Sequence, residues 1–550
     1  MMFSLEFRTC SFIACLLMAG TTAAADLEQT RKALIAGQYA DCINTAAEAI
    51  HQRVFGEDWY LIKTEAEVQS GQYQEAYETV SSGLNRYAWS IRMRQAGIEP
   101  AFHSGHVEQG KIWQAEIADI VRRAAWRYEG DPESLVALGK VALLDGADAR
   151  KVLELFYDRA LRVAPSHRAA TLASGELAIS KNDFGLAANI FQEGLKEHAS
   201  DPDMHFGLGR SIEKVQPRLA AFHLSEAIRM NPRHCGALLH QAERAIDEEL
   251  YLDATNLLDK VLKINRSHPK AWALYAVIAH LDNLTEKEKE FRDAALKSWS
   301  ENPVVDCLIG RKLSQKYRFA EGAQYQRQAL AFKADYLPAK TQLAQDLLRL
   351  GQEDEGWKLS SAALDVDGYD VHMFNLVQLR DQLAKYKTLE ANGFRVRMEA
   401  KEAVIYGDDV LDLLQRAKTT LCAKYGMELV DPITVEIFAD SNDFAVRTFG
   451  LPGAGGYLGV CFGKVITANS PAAMKLGPVN WQSVLWHEFC HVVTLEKTRN
   501  RMPRWLSEGV SVYEERQAAQ TWGQRMTPKN RKRIIDGRLT PIRELSSAFL

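Results

Sequence analysis

The chain has 550 residues, with 67 Lys+Arg against 71 Asp+Glu, 47% hydrophobic residues and 25% charged ones. That balance excludes wholesale disorder, and a formal net charge of −4 leaves no broad basic footprint for nucleic acid. Eight Cys are too few for a disulfide-stapled scaffold, and 35 Gly with 16 Pro exclude collagen-like sequence.

At the N-terminus, Arg8 precedes the apolar run Ser11–Gly20, and the small-residue stretch Thr21–Ala25 follows. This is the layout of a signal peptide over residues 1–25, with Ala23-x-Ala25 as the cleavage site before Asp26. It predicts an exported protein, periplasmic or extracellular. No later stretch approaches about 18 uninterrupted apolar residues, so no membrane span is expected after signal removal. Cys42, Cys235 and Cys307 sit singly in helical sequence and read as small buried apolar residues. Cys422, Cys461 and Cys490 cluster towards the C-terminus, where an oxidising compartment permits one disulfide among them.

From Leu27 to about Lys387 the pattern predicts helix after helix with short breaks. Gly37-Gln38-Tyr39 recurs as Gly71-Gln72-Tyr73, a displacement of 34 residues, each followed by an Ala-rich helix (Ala40–Ile50, Ala76–Leu84). Ile228-Arg229-Met230-Asn231 is echoed by Leu262-Lys263-Ile264-Asn265, again 34 apart. Pro165, Pro202, Pro232 and Pro269 follow helix ends, and Arg92–Arg127 is the least regular stretch. A helix–turn–helix of this period, with small residues where helices cross, resembles the tetratricopeptide repeat family. The resemblance implies an α-solenoid over 26–388, of about ten units, whose concave face binds a protein or peptide partner. Glu286-Lys287-Glu288-Lys289-Glu290 reads as a solvated helix face.

The texture changes near residue 389. Phe394, Val396 and Met398 alternate with charged residues at strand period, and a helix is expected over Asp409–Tyr425 with Gly426 as its stop. Ile433–Phe438 is β-branched and reads as a strand; Asp440 is placed to cap a short helix through Phe449. Tyr457–Asn469 reads as a strand or hairpin broken at Gly463. The fold class expected is therefore mostly α, a solenoid followed by a smaller α+β domain over 389–550. The basic run Lys529–Arg533 is expected to be a solvated helix.

Chemistry is concentrated in Trp481–Glu515, where His487-Glu488-Phe489-Cys490-His491 is an HExxH. On a helix His487 and His491 share a face one turn apart and can bind one metal ion, while Glu488 points about 100° away, towards a metal-bound water. Glu508 follows in Trp505-Leu506-Ser507-Glu508-Gly509, at the start of a second helix after Pro503. Two His and one Glu suit a Zn2+ with an open fourth position.

HEFCH followed by PRWLSEGVSVYEE resembles the gluzincin zinc metallopeptidases, the aminopeptidase-like group and bacterial relatives fused to tetratricopeptide arrays. The resemblance implies that His487, His491 and Glu508 ligate Zn2+ and that Glu488 is the general base. The reaction implied is peptide-bond hydrolysis by a zinc-activated water on a protein or peptide substrate. Tyr457–Ala468 matches in position the edge strand on which such enzymes lay an extended substrate. Two departures stand out. Val512 occupies the place of the acid that thermolysin-like relatives carry four residues after the Glu ligand, leaving Glu514 or Glu515 as candidates in what reads as a solvated helix end. No Tyr follows Tyr513 and no His follows His491, so the oxyanion stabiliser comes from elsewhere or the domain is C-terminally incomplete. A second reading is a tetratricopeptide protein-binding scaffold whose peptidase-like module is degenerate or truncated.

Overall fold

The structure is a computed structural model that describes residues 27–124, 128, 130–429, 432–453, 456–473, 479–523 and 526–549. The signal-like segment Met1–Ala25 lies outside them. The chain divides into two compact units, one holding the residues up to Ala242 with Thr255–Trp272 and Phe291–Ser300. The other holds Glu243–Ala254, Ala273–Glu290 and Glu301–Leu550.

Helix hairpins fill the chain up to Val366, beginning with a helix over 27–35 and Tyr39–His51. From Arg168 onward the first helices of successive hairpins start at Arg168, Pro202, Cys235, Pro269, Pro303 and Leu337, 33 or 34 residues apart. The expected tetratricopeptide-like array is therefore present. Its starts are set by local chemistry. Asp131, Asp201 and Asn302 each accept a backbone N–H at a helix start, and Pro132, Pro202 and Pro303 occupy the first turn, where no donor is lost. Ala46, Ala76, Ala187, Ala220 and Ala254 are fully buried, and their small size lets neighbouring helices approach closely. Where described, the stretch read as least regular is two ordinary helices, Ile91–His103 and Val107–Ala124, with Pro100 inside the first. Apolar burial through Met93, Ile98 and Ala101 outweighs that local break.

In the first unit the two sequence echoes meet. Asn231 donates to the Ile35 carbonyl at 3.1 Å, and the Tyr39 hydroxyl donates to the Arg233 carbonyl at 3.3 Å. Asn265 donates to the Tyr73 hydroxyl at 2.9 Å, and His103 Nδ1 lies 2.8 Å from Ser298 Oγ. The turns of the first three hairpins thus abut the turns that follow Met230, Ile264 and Leu296, and this unit closes on itself. Gly37 and Gly71 take φ of +80° and +78°, and a Cβ on either would collide with the Asn231 or Asn265 side chain.

The second unit carries the final hairpins, the helix Val371–Leu383 and a five-stranded sheet. In chain order its elements are β1 (Lys387–Ala391), β2 (Phe394–Met398), α1 (Ala400–Tyr425), β3 (Ile433–Phe438), α2 (Ser441–Phe449), β4 (Gly459–Cys461), β5 (Val465–Asn469), α3 (Trp481–Thr498), α4 (Arg504–Ala518) and α5 (Pro528–Ile535). The sheet order is β1-β2-β3-β5-β4, with β2, β3 and β5 parallel and the two outer strands antiparallel. β1 was not anticipated: Lys387–Ala391 alternates too weakly and is mostly exposed. α1 starts a full two turns earlier than expected because Glu399 caps it, accepting from the Lys401 and Glu402 N–H groups.

Each face of the sheet is covered. Phe394, Val396, Met398, Ile433, Val435 and Ile437 pack with Leu413 and Leu414 of α1 and Leu485, Phe489 and Val493 of α3. On the other face Phe438 and Val465 pack with Phe444 of α2, with Phe319 of a hairpin and with Leu379 and Leu383 of the helix Val371–Leu383. Arg397 of β2 adds a charged tie to Glu353 at 2.7 Å. The last hairpins are thereby fixed to the domain that carries the HExxH. The six described cysteines are all free, so the disulfide permitted among Cys422, Cys461 and Cys490 is absent. Cys461 and Cys490 serve instead as buried apolar residues of the sheet–helix core. No described helix is long and apolar enough to cross a membrane.

Candidate metal centre

α3 begins at Asn480, whose side chain accepts the Ser483 N–H at 3.2 Å. It is held against the sheet by Leu485, Phe489, Val492 and Val493, all at most 2% exposed. That burial fixes the helix phase, and the phase turns His487 and His491 towards α4. α4 starts after Pro503, and its first turns bring Ser507 and Glu508 opposite the two imidazoles.

The three expected ligands converge. His487 Nε2 lies 3.0 Å from His491 Nε2 and 3.2 Å from Glu508 Oε2, and His491 Nε2 lies 3.6 Å from the same oxygen. One donor atom from each of these residues falls within 4.8 Å of the others. Both imidazoles are oriented from behind. His487 Nδ1 is 2.6 Å from Glu515 Oε1, whose other oxygen accepts from Ser483 Oγ at 2.5 Å. His491 Nδ1 is 2.8 Å from Ser507 Oγ and 3.4 Å from Ser511 Oγ. Glu515 is therefore not at a solvated helix end: it is 8% exposed. Glu514, 1% exposed, has a different task, accepting from Lys424 at 2.7 Å and from the Tyr425 hydroxyl at 2.6 Å.

The electrostatics suit a cation. Burial opposes charge on His487, but the Glu508 and Glu515 carboxylates beside it hold the imidazole up to about 10. Burial likewise works to raise Glu508, and hydrogen bonds with the two histidines overcome it, keeping this carboxylate well below its usual range. A donor set of two Nε2 atoms and one carboxylate oxygen, with both Nδ1 atoms already engaged, fits Zn2+. Glu508 itself is only half-buried, and Arg504 stands 3.8 Å from it.

Glu488 does not join the three. It is 6% exposed and lies against β4, where a Cβ on Gly459 would come 2.7 Å from its Cγ. Burial pushes its carboxyl up, with the two histidines pulling the other way. A cleft of about 990 Å³ opens over these groups. β4 forms one edge, α3 and α4 form the floor, and Tyr317 with Lys316 and Glu249 contributes from the hairpin turns.

The structure brings His487, His491 and Glu508 together and sets Glu488 beside them. It adds Ser483, Ser507 and Ser511, which were not singled out from the sequence, and selects Glu515 from the two candidate acids at a helix end that reads as solvated. A signal was present. Ser507, Ser511 and Glu515 recur every four residues and so share one face of the helix that carries Glu508.

No family model matches the chain, and no curated protein matches it. Among solved structures it is similar to yeast Tom70, at 12% identity and a TM-score of 0.33 over 66% of this chain and 97% of that one. It is also similar to a chain of the APC/C hetero-tetramer Cut9–Hcn1, at 13% identity and a TM-score of 0.38 over 63% of this chain and 68% of that one. What defines the chain is its own architecture: a helical-repeat protein with a small α+β domain at its C-terminal side.

Proposed function

We propose that the protein is an exported zinc-dependent peptidase whose helical array binds a protein or peptide partner. One observation carries the reading: donor atoms of two imidazoles and a carboxylate converge within 4.8 Å of one another, each imidazole backed by its own partner, beside a buried Glu on the same helix. His487, His491 and Glu508 would hold the ion. When bound, Zn2+ would supply Lewis acidity towards a carbonyl and lower the pKa of water.

The chain's own residues account for the rest. Glu488, raised by burial, is suited to accept a proton in the cleft and to pass it to a leaving amine. Glu515 and Ser507 engage the two Nδ1 atoms, which would leave each Nε2 for the ion. β4 is the outer strand of the sheet, and its free edge offers backbone groups to an extended peptide.

The second reading, a protein-binding scaffold with a degenerate peptidase-like module, is favoured by the extent of the helical array, which supplies most of the chain. Metal analysis and one variant separate the two. The peptidase reading expects one zinc per chain and hydrolysis of a peptide library that Glu488→Gln abolishes without loss of zinc. Full hydrolysis by that variant would reject Glu488 as base, and a zinc-free, inert wild-type protein would establish the scaffold.

A further inference from the structure

At nine of the described hairpin turns the second residue after the first helix adopts a left-handed conformation, and it is Gly37, Gly71, Gly105, Gly146, Asn182, Asn283 and Gly351 at seven of them. Gly pays no steric penalty there and Asn tolerates it well. The other two carry larger residues. Glu249 and Tyr317 take φ of +62° and +63° with full side chains, and both line the cleft over the HExxH helix. A bulky residue in this conformation is strained, and such strain concentrates where a side chain is needed for function.

Tyr317 is held firmly. Its carbonyl accepts from Asn500 Nδ2 at 2.6 Å, and its ring stacks on Phe462 at 6.2 Å, one residue beyond β4. The Arg504 guanidinium lies 5.6 Å from the ring centroid. Among the described residues its hydroxyl has no hydrogen-bond partner. Burial pushes the phenol up, so it remains a donor at any ordinary pH. Glu488 and Arg504 are among the charged groups that act on it.

We propose that Tyr317, supplied by the helical array rather than by the sheet domain, is a substrate-binding residue of the cleft, its hydroxyl donating a hydrogen bond to the reacting carbonyl oxygen of a peptide laid along β4. This rests on the peptidase reading. It makes the last hairpins part of the reaction site.

The test compares wild type with Tyr317→Phe, which keeps the ring, the stack and the backbone conformation and removes only the hydroxyl. On zinc-loaded full-length protein, calorimetry with a phosphinic peptide, a mimic of the tetrahedral state, should show at least tenfold weaker binding by Y317F. Zinc content and melting temperature should be unchanged, and kcat should fall with KM nearly constant. Equal affinity of the two proteins for the phosphinic peptide would overturn the role of Tyr317 alone. A wild-type protein that takes up no zinc, or takes it up and binds no phosphinic peptide, would overturn the peptidase reading itself.

Discussion

Glu514 and Glu515 are adjacent, both acidic and both buried, yet they serve opposite ends of the molecule's chemistry. Glu515 fixes the His487 ring through Nδ1, so its loss frees the ring to turn without removing one of the proposed ligands. Glu515→Ala is therefore expected to weaken zinc affinity about 10–100-fold, measured by competition with a chromophoric chelator. Glu514 carries no such link. Its removal strands Lys424 and Tyr425, so Glu514→Ala should cost about 1–3 kcal/mol in urea unfolding and leave zinc affinity alone. Equal zinc affinity in the two variants would sink the assignment of Glu515.

At the scale of elements, the mixed-charge helix Thr285–Leu296 is instructive. Its charge alternation reads as a solvated face, and most of it is one. Glu288 is the exception: it accepts from His280 Nδ1 at 2.8 Å and from the Tyr325 hydroxyl, while His280 Nε2 meets Glu321 at 2.9 Å. Burial opposes charge on His280, but the two carboxylates hold it up to about 9. A folded pKa above the unfolded value means that stability is fully present below about pH 6.5 and is lost as pH rises through about 9. Partial exposure of the group reduces the effect to roughly 1 kcal/mol. Urea midpoints should fall between pH 6.5 and 9, and His280→Gln should flatten that fall; an unchanged slope would discard the triad.

The same contrast explains what could be read from the residues beforehand. Hydrophobic period and capping residues place the helices, the hairpin at Gly463 and the strand Ile433–Phe438, because each is decided within a few neighbours. The HExxH and Glu508 are legible because two elements carry them at fixed spacing. The roles of Glu288, Glu515 and Tyr317 are not, since their partners lie on other elements: α3 for Glu515, the facing helix of its own hairpin and the next hairpin for Glu288, and the β4–β5 turn with α4 for Tyr317. Strand β1 escapes for a related reason, being fixed by its antiparallel register with β2 rather than by its own pattern.

For the molecule as a whole, the closure in the first unit is the feature with the widest reach. Gly37→Ala and Gly71→Ala combine a left-handed backbone with a collision against Asn231 or Asn265, and each should cost about 2–3 kcal/mol. Gly105→Ala is the control. Its φ is +82° but nothing lies within 4 Å of the added Cβ, so only the backbone cost of about 1 kcal/mol is expected. Equal losses at all three positions, read from thermal unfolding, would show that the facing turns contribute nothing.

An open array of repeats folds as a one-dimensional chain, each unit answering only to its neighbours. Here residues separated by 192 to 196 positions touch, so the first and last hairpins of the unit share one cooperative transition and its contact order rises. The number of repeats between them is then a fixed count. Inserting or deleting one hairpin would carry Asn231 and Asn265 past Gly37 and Gly71 by a full 34-residue step, so this array, unlike an open one, has no freedom to grow or shrink by whole repeats in the course of its evolution.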